Sequence, residues 1–140
     1  MLHSIPTCFY RVSIKALILD AEGKFLLCKE KSGIWDLPWG GLDEWENISD
    51  WLKREIKEEM WIDITKYKDQ PSYFFKFTWK NGKEKINIIY ETQVRNLNFT
   101  RSDECIEIGF FNKEKINTIE VFPNVKEFVK IYKPENHVYL

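Results

Sequence analysis

One stretch of this chain constrains it more than any other. Gly40 is followed after five residues by Glu46, and Glu46 after seven more by Arg54-Glu55-Ile56-Lys57-Glu58-Glu59-Met60-Trp61-Ile62. Ile48, Leu52, Ile56 and Met60 recur at every fourth position, the spacing that lays one apolar stripe along a helix. The segment from Asn47 to Met60 is therefore predicted to be helical. Asn47 suits the N-cap, because its side-chain oxygen can accept from a free N–H of the first turn. Asp50, three residues on, resembles the reciprocal half of a capping box. On that helix Glu55, Glu58 and Glu59 stand at i, i+3 and i+4 and share a face.

Three carboxylates on one face repel one another. Two of them about 6 Å apart cost roughly 2–3 kcal/mol at an effective dielectric near 20. Arg54 offsets part of this, but its fork serves only one or two carboxylates at a time. A hard divalent cation with oxygen ligands would neutralise the rest, and magnesium suits phosphate substrates. Such an ion can bridge phosphate oxygens and lower the pKa of an attacking water. The plainer alternative is a solvated charged face on which Lys53, Arg54 and Lys57 form surface ion pairs worth a few tenths of a kcal/mol each.

The full spacing separates the two. It resembles the Nudix box, in which Gly40, Glu46, Arg54, Glu55, Ile56, Glu58, Glu59 and Ile62 match at the required positions, with Trp35-x-Leu37-Pro38 leading in. Six fixed polar or glycine matches arise by chance on the order of once in 10⁵ chains of this size. The resemblance implies one α/β domain over residues 1–140 with the box at 40–62. The expected architecture is an α/β/α sandwich with a mixed sheet and a loop–helix motif. It implies Glu55, Glu58 and Glu59 as metal ligands, the Gly40 carbonyl as a further one, Arg54 orienting the carboxylates, and Glu46 supporting the loop. A late-loop acid is also implied: Glu104, with Asp103 and Glu107 as alternatives. Glu55 and Glu104 share the expectation for general base. The implied cofactor is Mg2+, with Mn2+ as an alternative. The implied reaction is attack of water on a nucleoside diphosphate linked to another group, in a small-molecule nucleotide substrate. Damaged nucleoside triphosphates are the default for so minimal a chain. A catalytically impaired relative that binds a nucleotide or a protein partner is the competing reading.

Three tryptophans depart from the family pattern. Trp61 fills the last glycine of the box, Trp39 the first glycine of a Pro-Gly-Gly approach, and Trp45 the glycine before Glu46. A helix ending at Met60 wants a left-handed residue next, usually glycine, and a β-carbon there costs about 1–2 kcal/mol. Rings at 39 and 45 would crowd a loop whose backbone should approach metal and phosphate closely. The chain holds 6 Trp and only 6 Gly, against the roughly 10 glycines that average usage predicts. A UGA codon, read as glycine in certain bacterial lineages and as tryptophan under another code, would produce this pattern. Codons reading UGG at 39, 45 and 61 would end that idea. Trp35 stands where the family often has tryptophan, whereas Trp51 and Trp79 are undecided.

Elsewhere the chain reads as short strands around the helix. Strands are expected at Arg11–Leu19, Phe25–Cys28, Tyr73–Phe77, Ile86–Val94 and Ile106–Phe111, with a short extended piece at Trp35–Leu37 broken by Pro38-Trp39-Gly40-Gly41. Asn81-Gly82 marks a hairpin turn. A short helix is expected at Lys113–Thr118 and an amphipathic one at Asn124–Tyr132. Net charge is -1, so no basic field advertises nucleic acid or an anionic membrane. Phe74, Phe75, Phe77 and Trp79 beside lysines read as core strands sooner than as a base-stacking platform. The apolar run from Val12 to Leu19 is too short to cross a bilayer and lacks the marks of a leader. Cys8, Cys28 and Cys105 lack zinc-site spacing and are expected as buried or idle thiols in a reducing cytosol. His3 and His137, near the ends, make poor candidates for ligand or base. Oligomeric state is not legible.

Overall fold

The computed structural model describes residues 9–41 and 47–137, apart from the side chains of 39–41 and 59. Two sheets form the centre. The larger contains β1 (Arg11–Leu17), β4 (Trp39–Gly41), β5 (Ile64–Tyr67), β6 (Tyr73–Thr78) and β7 (Glu84–Val94), ordered β4-β1-β7-β5 with β6 also on β7. The smaller runs β3 (Trp35–Asp36), β2 (Phe25–Lys29), β8 (Glu107–Phe111). β1 and β7 pair in parallel and the other named pairs are antiparallel, so the larger sheet is mixed.

Alternation along the strands sends residues to two cores. Ile14, Ala16, Ile18, Leu26 and Cys28 join α1 (Ile48–Met60) through Trp51, Leu52, Ile56 and Met60. Leu17, Phe25 and Leu27 point the other way and join α2 (Pro123–Ile131) through Val125 and Phe128. With a helix on each side, the strands make the expected α/β/α sandwich. Trp51, undecided from sequence, is a core residue at 1% exposure. Cys28 and Cys105 are buried thiols, as expected; Cys8 lies outside the described residues.

Several boundaries differ from the sequence reading. The first strand ends at Leu17, because Ile18 and Leu19 already turn toward β2 through Leu26 N–H to Ile18 O and a bridge between Leu19 and Phe25. Trp39–Gly41, read as a break, is instead strand β4, paired with Ser13–Lys15 of β1. Strand β5 was not anticipated. Residues 115–118 form a 3-10 turn, and Asn112 Oδ1 ahead of it accepts from Lys115 N–H at 2.8 Å. The Asn81-Gly82 turn is present, with Gly82 at φ 80°.

Two polar networks link the elements, the first of them buried. Lys15 Nζ donates to Asp36 Oδ2 at 3.0 Å, while Asp36 Oδ1 accepts from Leu37 N–H at 2.7 Å and Asn124 Nδ2 at 2.8 Å. This ties β1, β3 and α2 together. The second pins the end of the described chain. His137 bridges Tyr73 Oη at 2.7 Å and Glu91 Oε2 at 2.9 Å, and Lys68 Nζ also reaches Glu91 at 2.6 Å.

Burial opposes ionisation of Glu91, but hydrogen bonds from Lys68 and His137 outweigh it and hold the carboxyl below its ordinary range. A depressed carboxylate stabilises the fold above its unfolded pKa and loses that contribution as pH falls through the folded value. Glu91→Gln should therefore lower Tm at pH 7, and the gap to the unaltered protein should close below about pH 4. Melting curves across that range check it. A gap of constant size would refute the assignment.

Candidate metal and diphosphate site

Helix α1 begins as its sequence dictates. Asn47 Oδ1 accepts from Asp50 N–H at 2.9 Å, and Asn47 Nδ2 donates to Asp50 Oδ2 at 2.9 Å. The reciprocal bond thus runs side chain to side chain, where a capping box would send it to the Asn47 backbone. Ile48, Leu52, Ile56 and Met60 pack inward, so the following acidic positions lie along a supported edge.

Arg54 gathers two of the expected carboxylates. Its Nη1 lies 2.9 Å from Glu55 Oε1 and 3.1 Å from Glu58 Oε2. The Glu55 side chain is 17% exposed and that of Glu58 is 57%. Burial pushes the Glu55 carboxyl above its ordinary range; Arg54 pulls it down, while Glu58 and Glu104 push it further up. Glu104, exposed just before the buried Cys105, thus lies within electrostatic reach of Glu55. Glu107 is instead engaged by Lys29 at 3.6 Å, and Asp103 is exposed. Gly40 sits in β4 opposite Ile14, and α1 lies against β4. The Glu59 side chain and all of Glu46 and Trp45 fall outside the described residues.

Among the described side chains no three acidic, histidine or cysteine groups stand close enough to hold a metal. Arg54 occupies the space between the Glu55 and Glu58 oxygens. The donor chemistry nevertheless fits a hard cation: oxygen only, from carboxylates whose mutual repulsion one guanidinium offsets in part. Sequence reasoning missed Glu30, whose carboxyl burial raises above its usual range, with Asp36 and Glu104 adding to the rise and Lys15 opposing it. It also missed the burial of Asp36. No periodic signal marks either, since Glu30 follows the end of β2 and Trp35 and Asp36 are both buried.

The helix ends as expected for a left-handed residue. Trp61 has φ 59° and ψ 33°, its N–H donates to Lys57 O at 2.8 Å, and it is the one non-glycine with positive φ among the described residues. The ring is 59% exposed, so no core packing compensates the strain. Trp61→Gly should stabilise the fold by about 1 kcal/mol, because the β-carbon penalty of the left-handed region exceeds the extra chain entropy of glycine. Urea melts at constant m-value check the sign.

Comparison with known proteins places the chain. Residues 9–132 match the family described as NUDIX domain. The nucleoside triphosphatase NudI of Enterobacter sp. (strain 638) is 28% identical over 121 residues, covering 74% of this chain and 84% of that one. An RNA pyrophosphohydrolase of Campylobacter jejuni is 34% identical over 76 residues, 47% of this chain and 49% of the relative, so the match spans about half of that protein. The MutT protein of Methanosarcina mazei Go1 superposes with TM-score 0.75 at 27% identity, covering 96% of this chain and all of that one. The chain belongs to the NUDIX family. It is a MutT-like hydrolase acting on phosphoanhydride bonds.

Proposed function

We propose that this protein hydrolyses a diphosphate linkage in a nucleotide, using a divalent cation held at the acidic edge of α1. One observation carries the reading: Arg54 draws Glu55 and Glu58 together on a helix packed against the strand that bears Gly40. Glu55, Glu58 and Glu59 would hold Mg2+, with the Gly40 carbonyl and Glu104 as further oxygen donors. When bound, the ion supplies positive charge against the diphosphate and acidifies water. Arg54 keeps two carboxylates oriented before substrate arrives. Glu55, raised by its surroundings, suits proton acceptance from water nearer neutral pH than an ordinary carboxylate would. The one-domain organisation over residues 1–140 belongs to the same proposal.

The test is release of phosphate, diphosphate or nucleoside monophosphate from a nucleotide panel with magnesium, manganese or chelator. Hydrolysis should appear with metal and vanish with chelator. Turnover that ignores chelation would overturn the reading. Nucleotide binding with no turnover under any metal would favour the impaired module.

A further inference from the structure

Three sulfurs meet where β2, the approach to β8 and the end of α1 converge. Cys28 of β2 is 1% exposed and Cys105, just ahead of β8, is 0% exposed. The Cys28 thiol donates to Met60 Sδ at 3.4 Å, and the Cys28 and Cys105 thiols are hydrogen-bonded to each other. The backbone brings them together. β2 and β8 pair Cys28 with Ile108 and Lys29 with Glu107, and Ile106 N–H continues the ladder to Lys29 O at 2.9 Å. A turn then folds the chain back, with Ser102 N–H donating to Cys105 O at 2.9 Å and Cys105 N–H to Ser102 O at 3.2 Å. A single buried cysteine behaves as a small apolar group. Two thiols in contact differ, because a two-electron oxidation can join them.

The two sulfurs differ in their access to solvent. Between Arg101 and Glu107, Cys105 is the one buried residue, and Asp103 and Glu104 just before it are exposed. Local opening of this short turn brings the Cys105 sulfur to water, while Cys28 stays inside the sheet. We propose that Cys28 and Cys105 are an oxidisable pair, at which a hydroperoxide closes a disulfide that clamps the Glu104 segment to β2. The Cys105 sulfur attacks one peroxide oxygen, the O–O bond breaks, an alcohol leaves and a sulfenic acid remains. The Cys28 sulfur then attacks that sulfenic sulfur. The S–S bond forms, the S–O bond breaks, and water leaves with the Cys28 proton. Two thiols are thereby oxidised, and the hydroperoxide is reduced to an alcohol and water. A small dithiol reverses the bridge by exchange. Glu104 precedes Cys105, and by the diphosphate reading above it supplies an oxygen to the cation. A covalent tie at 105 removes the freedom with which Glu104 closes on that ion, so the bridge slows hydrolysis. This regulatory half rests on the diphosphate reading; the modification site does not.

The experiment treats the full chain, carrying Cys8→Ser to remove the third thiol, with hydrogen peroxide under native conditions. The protein is then denatured, alkylated and mapped by mass spectrometry. Both sulfurs should resist alkylation, and the Cys28 and Cys105 peptides should run joined until dithiothreitol separates them. Hydrogen exchange across residues 102–106 should slow several-fold in the oxidised protein. Metal-dependent hydrolysis should fall several-fold on oxidation and return on reduction. Cys28→Ala should keep the basal rate and lose the sensitivity. Full alkylation of both sulfurs after peroxide, or a Cys105 sulfinic acid with no joined peptide, would overturn the proposal. If Cys28→Ala does not fold, the peptide map of the Cys8→Ser protein decides. A bridge that leaves hydrolysis unchanged would overturn the link to Glu104. A bridge in a protein that, reduced, hydrolyses no nucleotide would sink the diphosphate reading and leave the modification site standing; hydrolysis with no bridge would do the reverse.

Discussion

Asp36→Ala is expected to destabilise the protein by about 3–5 kcal/mol, the range for removing one member of a buried ion pair. Three groups converge on that carboxylate: Lys15 Nζ, Asn124 Nδ2 and the Leu37 N–H. Lys15 is 3% exposed and Asp36 is 7%, so water cannot readily replace what is lost. Deleting the acid strips a buried ammonium of its carboxylate and frees two further donors. The double variant Lys15→Met with Asp36→Leu should recover much of the loss, because well-packed apolar pairs often match buried ion pairs in stability. Urea denaturation of both variants checks the pair. A loss below about 1 kcal/mol for Asp36→Ala would show that solvent reaches Lys15 after all.

The second large effect is catalytic. Glu55→Gln should lower kcat/KM by at least about a hundredfold, since it removes both a proposed metal ligand and one of the two proposed proton acceptors. Stability should change little or rise slightly, because a carboxyl whose ionisation is disfavoured by burial is replaced by a neutral isostere. Arg54 keeps Glu58 as its partner in that variant. Thermal melts and nucleotide hydrolysis on one preparation separate the two readouts. Full activity in Glu55→Gln would move the chemistry elsewhere, to Glu104 first.

Local features were legible in the sequence and distant ones were not. The box helix could be read from Asn47 to Met60 because its cap, its stripe and its acidic face are all spaced within a few turns. The strain at Trp61 could be read for the same reason. Strand β4 could not, since a three-residue strand earns its identity from β1 across the sheet. Lys15 sits between Ile14 and Ala16, where a lysine ordinarily marks a solvent face; its ion pair with the buried Asp36 holds it in the core. The burial of Asn87 and of His137 was not legible either, because a lone buried polar side chain leaves no periodic trace.

The parallel pairing of β1 with β7 has a kinetic corollary. It joins Arg11 to Lys85 and Leu17 to Glu91, so the acidic helix and β4 both lie inside the loop that this pairing closes. Closing a long loop adds only about 0.6 kcal/mol per doubling of its length, but contacts so far apart in sequence form slowly. During synthesis the first strand must wait, unpaired on that edge, until more than half of the chain has followed it. The platform beneath the helix is thus among the last parts to be assembled, whereas the helix itself can form early from its own local signals.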